Sequence, residues 1–141
     1  MKIKIKKLVD SAKIPEYQKQ GDGGMDLTST SMIVVDNKDF GYYEYGFGIS
    51  LEIPENHVGL IFPRSSISNT GMILSNAVGV VDSGYRGEIK ARFKYIRNSK
   101  AYTVGDRVAQ LIVIPIPKVE FEEVQKLEDT DRAASAFGST G

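Results

Sequence analysis

The sequence predicts an all-β subunit, a jelly-roll-like sandwich or barrel with at most one short helix and a flexible C-terminal tail. Three observations point there. Apolar and polar residues alternate with period two along much of the chain, as in strands with one wet face. Glycines and prolines interrupt these runs at intervals of about ten residues, the spacing of a sandwich or barrel. Only Ser65 to Thr70 invites a helix, a turn or two with Gly71 as its C-cap.

Taken in order, Ile3 and Ile5 alternate with lysines, and Met32 to Val35 is a short β-branched run. Phe47 to Pro54 and Val58 to Phe62 bracket a turn at Glu55 and Asn56. Ser83 and Gly84 suit a hairpin turn. The clearest strand follows, Glu88 to Tyr95, with charged and apolar residues in strict alternation. Arg107 to Ile116 is a longer apolar stretch that Pro115 and Pro117 break near its end. Tyr42, Tyr43 and Tyr45 form an aromatic cluster without a basic groove, which favours packing or subunit contact over base stacking. The last residues, TDRAASAFGSTG, are small and polar around a single Phe137, so they either fray or form a segment that a ligand orders.

A chain of 141 residues fits one domain, large enough to fold without a staple. Eighteen basic and eighteen acidic side chains cancel, which leaves no electrostatic footprint for direct nucleic-acid binding; any phosphate is bound locally. There is no cysteine, so disulfides, thiolate metal sites and cysteine nucleophiles are excluded. Apolar runs are too short for a membrane-spanning helix. The N-terminal MKIKIKK reads as a strand and not as a signal peptide, so the expected location is cytoplasmic, or the host-cell interior for a viral chain.

Four segments concentrate Gly, Ser, Asp and Arg: GGMDL at 23–27, PRSS at 63–66, DSGYRGE at 82–88 and GDRVAQL at 105–111. In PRSS, Arg64 offers a planar fork of donors, and Ser65 and Ser66 add hydroxyls and N–H groups at the start of a helical turn, an anion site or simply a serine-capped turn. Asp82 and Asp26 are each either a turn carboxylate or a reacting group. Gln110 stands in an apolar strand, where its amide needs the main chain or a ligand as partner. His57, the only histidine, reads as a surface residue.

Together with the tail, these segments resemble the five motifs of the trimeric dUTPase family, in the family's order: GGMDL, PRSS, SNAVGVVDSGYRGE, GDRVAQLIV and RAASAFGSTG. YGFGISLEIP is similar to the family's strand before its second motif, so the likeness covers nearly the whole chain. The resemblance implies a β domain over 1–128 and a C-terminal lid over 129–141, assembled as a homotrimer with shared active sites. It implies a magnesium-dependent hydrolase of nucleotide metabolism that converts dUTP to dUMP and pyrophosphate, keeping uracil out of DNA and supplying dUMP for thymidylate synthesis.

By the same resemblance, Asp82 would be the general base for water attacking the α-phosphorus. Tyr85 would lie under the deoxyribose and exclude a 2′-hydroxyl, and Asn76 with its backbone would read the uracil edge. Ser65 and Gln110 would hold the phosphates near the scissile bond, Arg64 would support that region across a subunit boundary, and Ser66, counted with the substrate-binding residues, would add a donor or simply fill space. Asp26 would contact Mg2+ through water, the ion being held mainly by triphosphate oxygens. In the tail, Phe137 would stack on uracil, Arg132 would meet the γ-phosphate, and Gly138, Ser139 and Thr140 would wrap the phosphates. Two departures stand out: Ala133, Ala134, Ser135 and Ala136 replace the family's usual glycines, and Ser66 stands where glycine is common.

Two rival classes remain. A dCTP deaminase has a related fold and an RSS segment, but its catalytic glutamate would fall where this chain has Arg92. A non-catalytic nucleotide- or protein-binding module would have no need for an intact DSGYRGE.

Overall fold

The computed structural model describes residues 1–37, 40–95 and 100–130. Among the described residues ten strands are formed: β1 Lys4–Lys7, β2 Met25–Thr28, β3 Ser31–Asp36, β4 Gly41–Gly46, β5 Ile49–Glu52, β6 His57–Pro63, β7 Met72–Leu74, β8 Gly79–Val81, β9 Lys90–Tyr95 and β10 Arg107–Pro115. Two four-stranded antiparallel sheets, β2-β10-β6-β8 and β3-β4-β9-β7, face each other, and β1 pairs with β5 in a separate ribbon. The expected all-β, jelly-roll-like architecture is what the chain adopts.

Alternation decides which side chains meet between the sheets. In β9, Ala91 and Phe93 are buried while Lys90, Arg92 and Lys94 are exposed. From the first sheet Leu27, Ile61 and Leu111 enter the same core as Tyr45 and Phe93 of the second. Tyr45 packs edge-on against Phe93 and Tyr102 and donates its hydroxyl to the Tyr102 carbonyl at 2.9 Å. Its burial pushes the phenol up to about 12. The tyrosine cluster is therefore one strand, β4, with packing as the role of Tyr45.

Both anticipated turns are present, yet neither makes a hairpin. His57 N–H donates to Pro54 C=O across Glu55 and Asn56, and Tyr85 N–H donates to Asp82 C=O across Ser83 and Gly84. In each case the chain passes from one sheet to another, because β5 and β6, like β8 and β9, belong to different sheets. The strand expected from Glu88 begins at Lys90, since Ile89 bonds instead to Phe47 and Ile49. The short helix is a 3-10 segment, Ser65–Asn69, ended by Thr70 and not by Gly71. Arg64, not a serine, occupies its N-cap position and makes no side-chain capping bond.

Phe93, fully buried in the core between the two sheets, is expected to dominate stability. Phe93→Ala should cost about 3–5 kcal/mol, read as a lower urea midpoint with the slope unchanged.

Candidate functional site

Motif three is folded into the wall of an open cavity of about 530 Å³ at the gap between β8 and β9. The cavity brings together three residues singled out from the sequence: Asn76, Asp82 and Tyr85. Asn76 sits in the tight connection from β7 to β8, where Ala77 N–H donates to Leu74 C=O and Val78 N–H to Asn76 C=O. Ala77 holds φ +60° there, a left-handed conformation that costs a residue with a Cβ and recurs at functional turns. Asp82 follows β8 directly; its carboxylate is exposed and takes no hydrogen bond from any described residue. Tyr85, 47% exposed, donates its hydroxyl to Glu88 C=O at 3.0 Å, and its ring occupies the space that a side chain at Gly87 would need.

The same wall holds charges that no motif announced. Glu44 of β4, only 9% exposed, accepts from Lys90 Nζ at 3.0 Å and from Arg92 Nε at 2.7 Å. Burial by itself would raise the Glu44 carboxyl, but hydrogen bonds and charge from Lys90 and Arg92 outweigh it and hold the group below its ordinary value. Arg92 also lies over the Tyr42 ring, 4.9 Å from its centroid. The position that separated this chain from a deaminase thus carries a guanidinium committed to the β4 strand.

A second cavity, of about 540 Å³, gathers motifs one, two and four: Gly23, Gly24, Asp26, Arg64, Ser65, Arg107 and Gln110 line it, with Lys19 at its edge. Asp26 organises it. Arg64 Nε donates to one carboxylate oxygen at 2.7 Å and Arg107 to the other at 2.9 Å. Gln110 donates to Pro63 C=O at 3.0 Å, and its amide oxygen lies so close to Gly24 that an added Cβ would come within 2.6 Å. Gly24 is thus a packing requirement of Gln110. Ser65 is exposed with no side-chain partner among the described residues, whereas Ser66 turns inward and shares a 2.8 Å hydrogen bond with the Tyr102 hydroxyl. The Ser66 hydroxyl thus links the 3-10 segment to Tyr102, either of the two serving as donor.

Asp26 accepts from one guanidinium at each oxygen, so it orients Arg64 and Arg107, and each oxygen keeps a second lone pair for a further donor such as water. No three His, Cys, Asp or Glu side chains converge among the described residues. Magnesium arriving on triphosphate oxygens would need no such cluster, since it keeps most of its waters and takes few protein ligands. Arg107 and Lys19 are the residues missed from sequence. Arg107 stood in a quoted motif, but its partner is 81 positions away.

One chain does not unite the two cavities; they share no lining residue. On β6, Val81 lies opposite Gly59 from one side and Gln110 opposite Phe62 from the other. At about 3.3 Å per residue and 4.8 Å per strand their Cα atoms are roughly 14 Å apart, and Asp82 is one residue farther. Arg132, Phe137, Gly138, Ser139 and Thr140, with Ala133, Ala134 and Ala136, lie outside the described residues. His57 lies at the start of β6, its Nδ1 3.0 Å from Glu55 C=O, and lines neither cavity. Among the described residues no helix is long and apolar enough to cross a membrane.

The sequence model of the dUTPase family matches residues 10–141. The deoxyuridine 5'-triphosphate nucleotidohydrolase of Crocosphaera subtropica is 38% identical over 143 residues, covering 100% of this chain and 99% of the relative. The structure of the Staphylococcus bacteriophage 80alpha dUTPase with dUPNHPP superimposes with a TM-score of 0.81 at 25% identity, covering 99% of this chain and 98% of that one. A mutant dUTPase from phage phi11 of S. aureus, in which a structural Mg(II) ion is coordinated, shares the fold at a TM-score of 0.75 and 23% identity, covering 92% of this chain and 100% of that one.

Glu44 supplies a pH test. A carboxyl whose folded pKa is depressed adds stability that is complete above its ordinary value of 4.5 and is lost as pH falls through the lower folded value. Glu44→Gln should cost about 1–3 kcal/mol at neutral pH, and the gap in melting temperature from the parent chain should close as the pH is taken toward 3.

Proposed function

This chain belongs to the dUTPase family, and we propose that it hydrolyses dUTP to dUMP and pyrophosphate through a water activated by Asp82. The observation that carries the residue assignment is the convergence of Asp82, Tyr85 and Asn76 on one open cavity, with the Asp82 carboxylate exposed and uncommitted. An ionised carboxylate free of internal donors is suited to orient a water and accept its proton. Tyr85, held at its hydroxyl, forms the floor for the sugar; a ribose 2′-hydroxyl would meet its ring. Asn76 and the backbone of its turn read the uracil edge.

The second cavity is assigned to the triphosphate. Ser65 and the Arg64 and Arg107 guanidiniums supply donors, and Gln110 is held beside them by Pro63 and Gly24. Planar guanidiniums already oriented by Asp26 suit phosphate oxygens, which are bound by paired donors. Magnesium, entering on the triphosphate, neutralises charge and holds the α-phosphate in place.

The separation of roughly 14 Å between the two half-sites within one chain supports a homotrimer in which Asp82 of one subunit faces the phosphate cavity of another. Exposed apolar side chains after β10 support assembly as well: Val119 is 62%, Leu127 79% and Phe121 96% exposed, more than an isolated subunit would leave to water. Residues 1–128 form the β domain in this reading, and 129–141 act as the lid that closes on the nucleotide, with Phe137 on the base and Arg132 on the γ-phosphate.

With magnesium present, the purified protein should release pyrophosphate from dUTP and leave dTTP, dCTP and UTP nearly untouched; ammonia release from dCTP would transfer the case to a deaminase. Asp82→Asn should lower kcat at least about 100-fold with nucleotide binding kept. Mixing inactive Asp82→Asn subunits with inactive Arg64→Ala subunits should restore part of the activity, since some mixed assemblies then carry an intact site. Failure of any mixture to regain turnover would refute sites shared between subunits.

A further inference from the structure

Between β8 and β9 the segment carrying Asp82 and Tyr85 has no ladder of its own, and residues 47–50 hold it in place. Phe47 N–H donates to Ile89 C=O at 3.1 Å and Ile89 N–H donates to Ile49 C=O at 2.8 Å. Gly48 N–H donates to Glu88 Oε1 at 3.0 Å. Ser50 Oγ, on β5, donates to the Arg86 carbonyl at 2.6 Å. Ser50 is 7% exposed, so its hydroxyl has no ready solvent substitute for that carbonyl.

These bonds reach Tyr85 from both sides. Its carbonyl and that of Ser83 accept from Arg86 Nη1, at 2.9 and 2.6 Å, so the turn is wrapped around the residue that Ser50 grips. Its hydroxyl donates to the main chain of Glu88, the residue whose side chain is fastened to Gly48 and lies 3.7 Å from Lys90 Nζ. The position of the Tyr85 ring is thus referred, at its backbone and at its hydroxyl, to residues 47–50, none of which lines either cavity.

We propose that Ser50 and Glu88 are positioning residues for the reaction: they set the height of the Tyr85 ring, and so the discrimination between deoxyribose and ribose, and they fix the bearing of Asp82 on its water. The inference rests on the assignment of Tyr85 as the sugar floor. Losing the Ser50 hydroxyl frees one carbonyl and lets the Arg86 turn shift, and a displacement of this order at a reacting group lowers rates by about 10- to 100-fold. The base-reading turn at Asn76 is held by its own backbone bonds and by Ser75 N–H donating to Arg92 C=O, so it should not move.

Steady-state kcat and KM for dUTP, UTP and dCTP, measured on the full chain and on Ser50→Ala, Ser50→Thr, Glu88→Ala and Tyr85→Ala, test this. Ser50→Ala should lower kcat more than it raises KM and reduce the dUTP/UTP preference about 10-fold, with the dUTP/dCTP preference unchanged; Ser50→Thr, which keeps the hydroxyl, should recover most of the loss. A dUTP/UTP preference that collapses in Tyr85→Ala but stays at the parent value in Ser50→Ala overturns the positioning role alone. No change in Tyr85→Ala overturns the sugar-floor assignment and the inference with it. Equal loss of both preferences in Ser50→Ala marks general loosening and also overturns it. Should Ser50→Ala not yield folded protein, the same preferences in Glu88→Ala decide.

Discussion

The seven-pair ladder between β6 and β10, from Ala109 opposite Pro63 to Pro115 opposite His57, is the constraint on which the arrangement of the site depends. Its Pro63 end delivers Arg64 and Ser65 beside Gln110, and its other flank, through β8, delivers Asp82. Because backbone hydrogen bonds fix this register, the two half-sites cannot slide toward each other within the subunit. A one-residue slip would turn Leu111 out of the core and place polar neighbours inside. Core packing and site geometry are therefore held by the same bonds.

Around that ladder, each half-site is organised by a carboxylate in a different state. Asp26 is tied by two guanidiniums and acts as a clamp for cations; Asp82 is exposed and uncommitted. Glu44 is a third kind, half sealed in the wall and kept ionised by Lys90 and Arg92. Burying a carboxylate without such partners would be unfavourable by several kcal/mol, so the two cations on β9 are a condition of Glu44 standing there at all. The paired arginines make one cavity cationic, and the other holds an exposed carboxylate without a partner among the described residues.

Membership of the dUTPase family underlies the roles proposed for these cavities, and the departures from the family's usual pattern acquire physical content. Ser66, where glycine is common, spends its hydroxyl on Tyr102, anchoring the 3-10 segment to the strand connection before β10. The YGFGIS segment, read from sequence only as a strand before motif two, proves to be the support of motif three.

Local chemistry made much of this legible in the sequence alone. Period-two alternation located β9 and an apolar run ended by prolines located β10, each within two residues, turn-forming residues located Glu55–Asn56 and Ser83–Gly84, and the lack of cysteine ruled out thiol chemistry. Each depends on neighbours within a few positions, which is what a sequence displays directly. Tertiary structure alone decided which strands pair, that both turns cross between sheets, that Asp26 clamps Arg64 and Arg107, and that Glu44 and Ser50 brace the segments around Asp82. Those contacts join residues 36 to 81 positions apart, and no periodicity encodes such a pairing. It also decided that Asp82 and Gln110, which share a family signature, stand apart in the subunit, because a β-ladder sets distance by register and strand spacing, not by order along the chain.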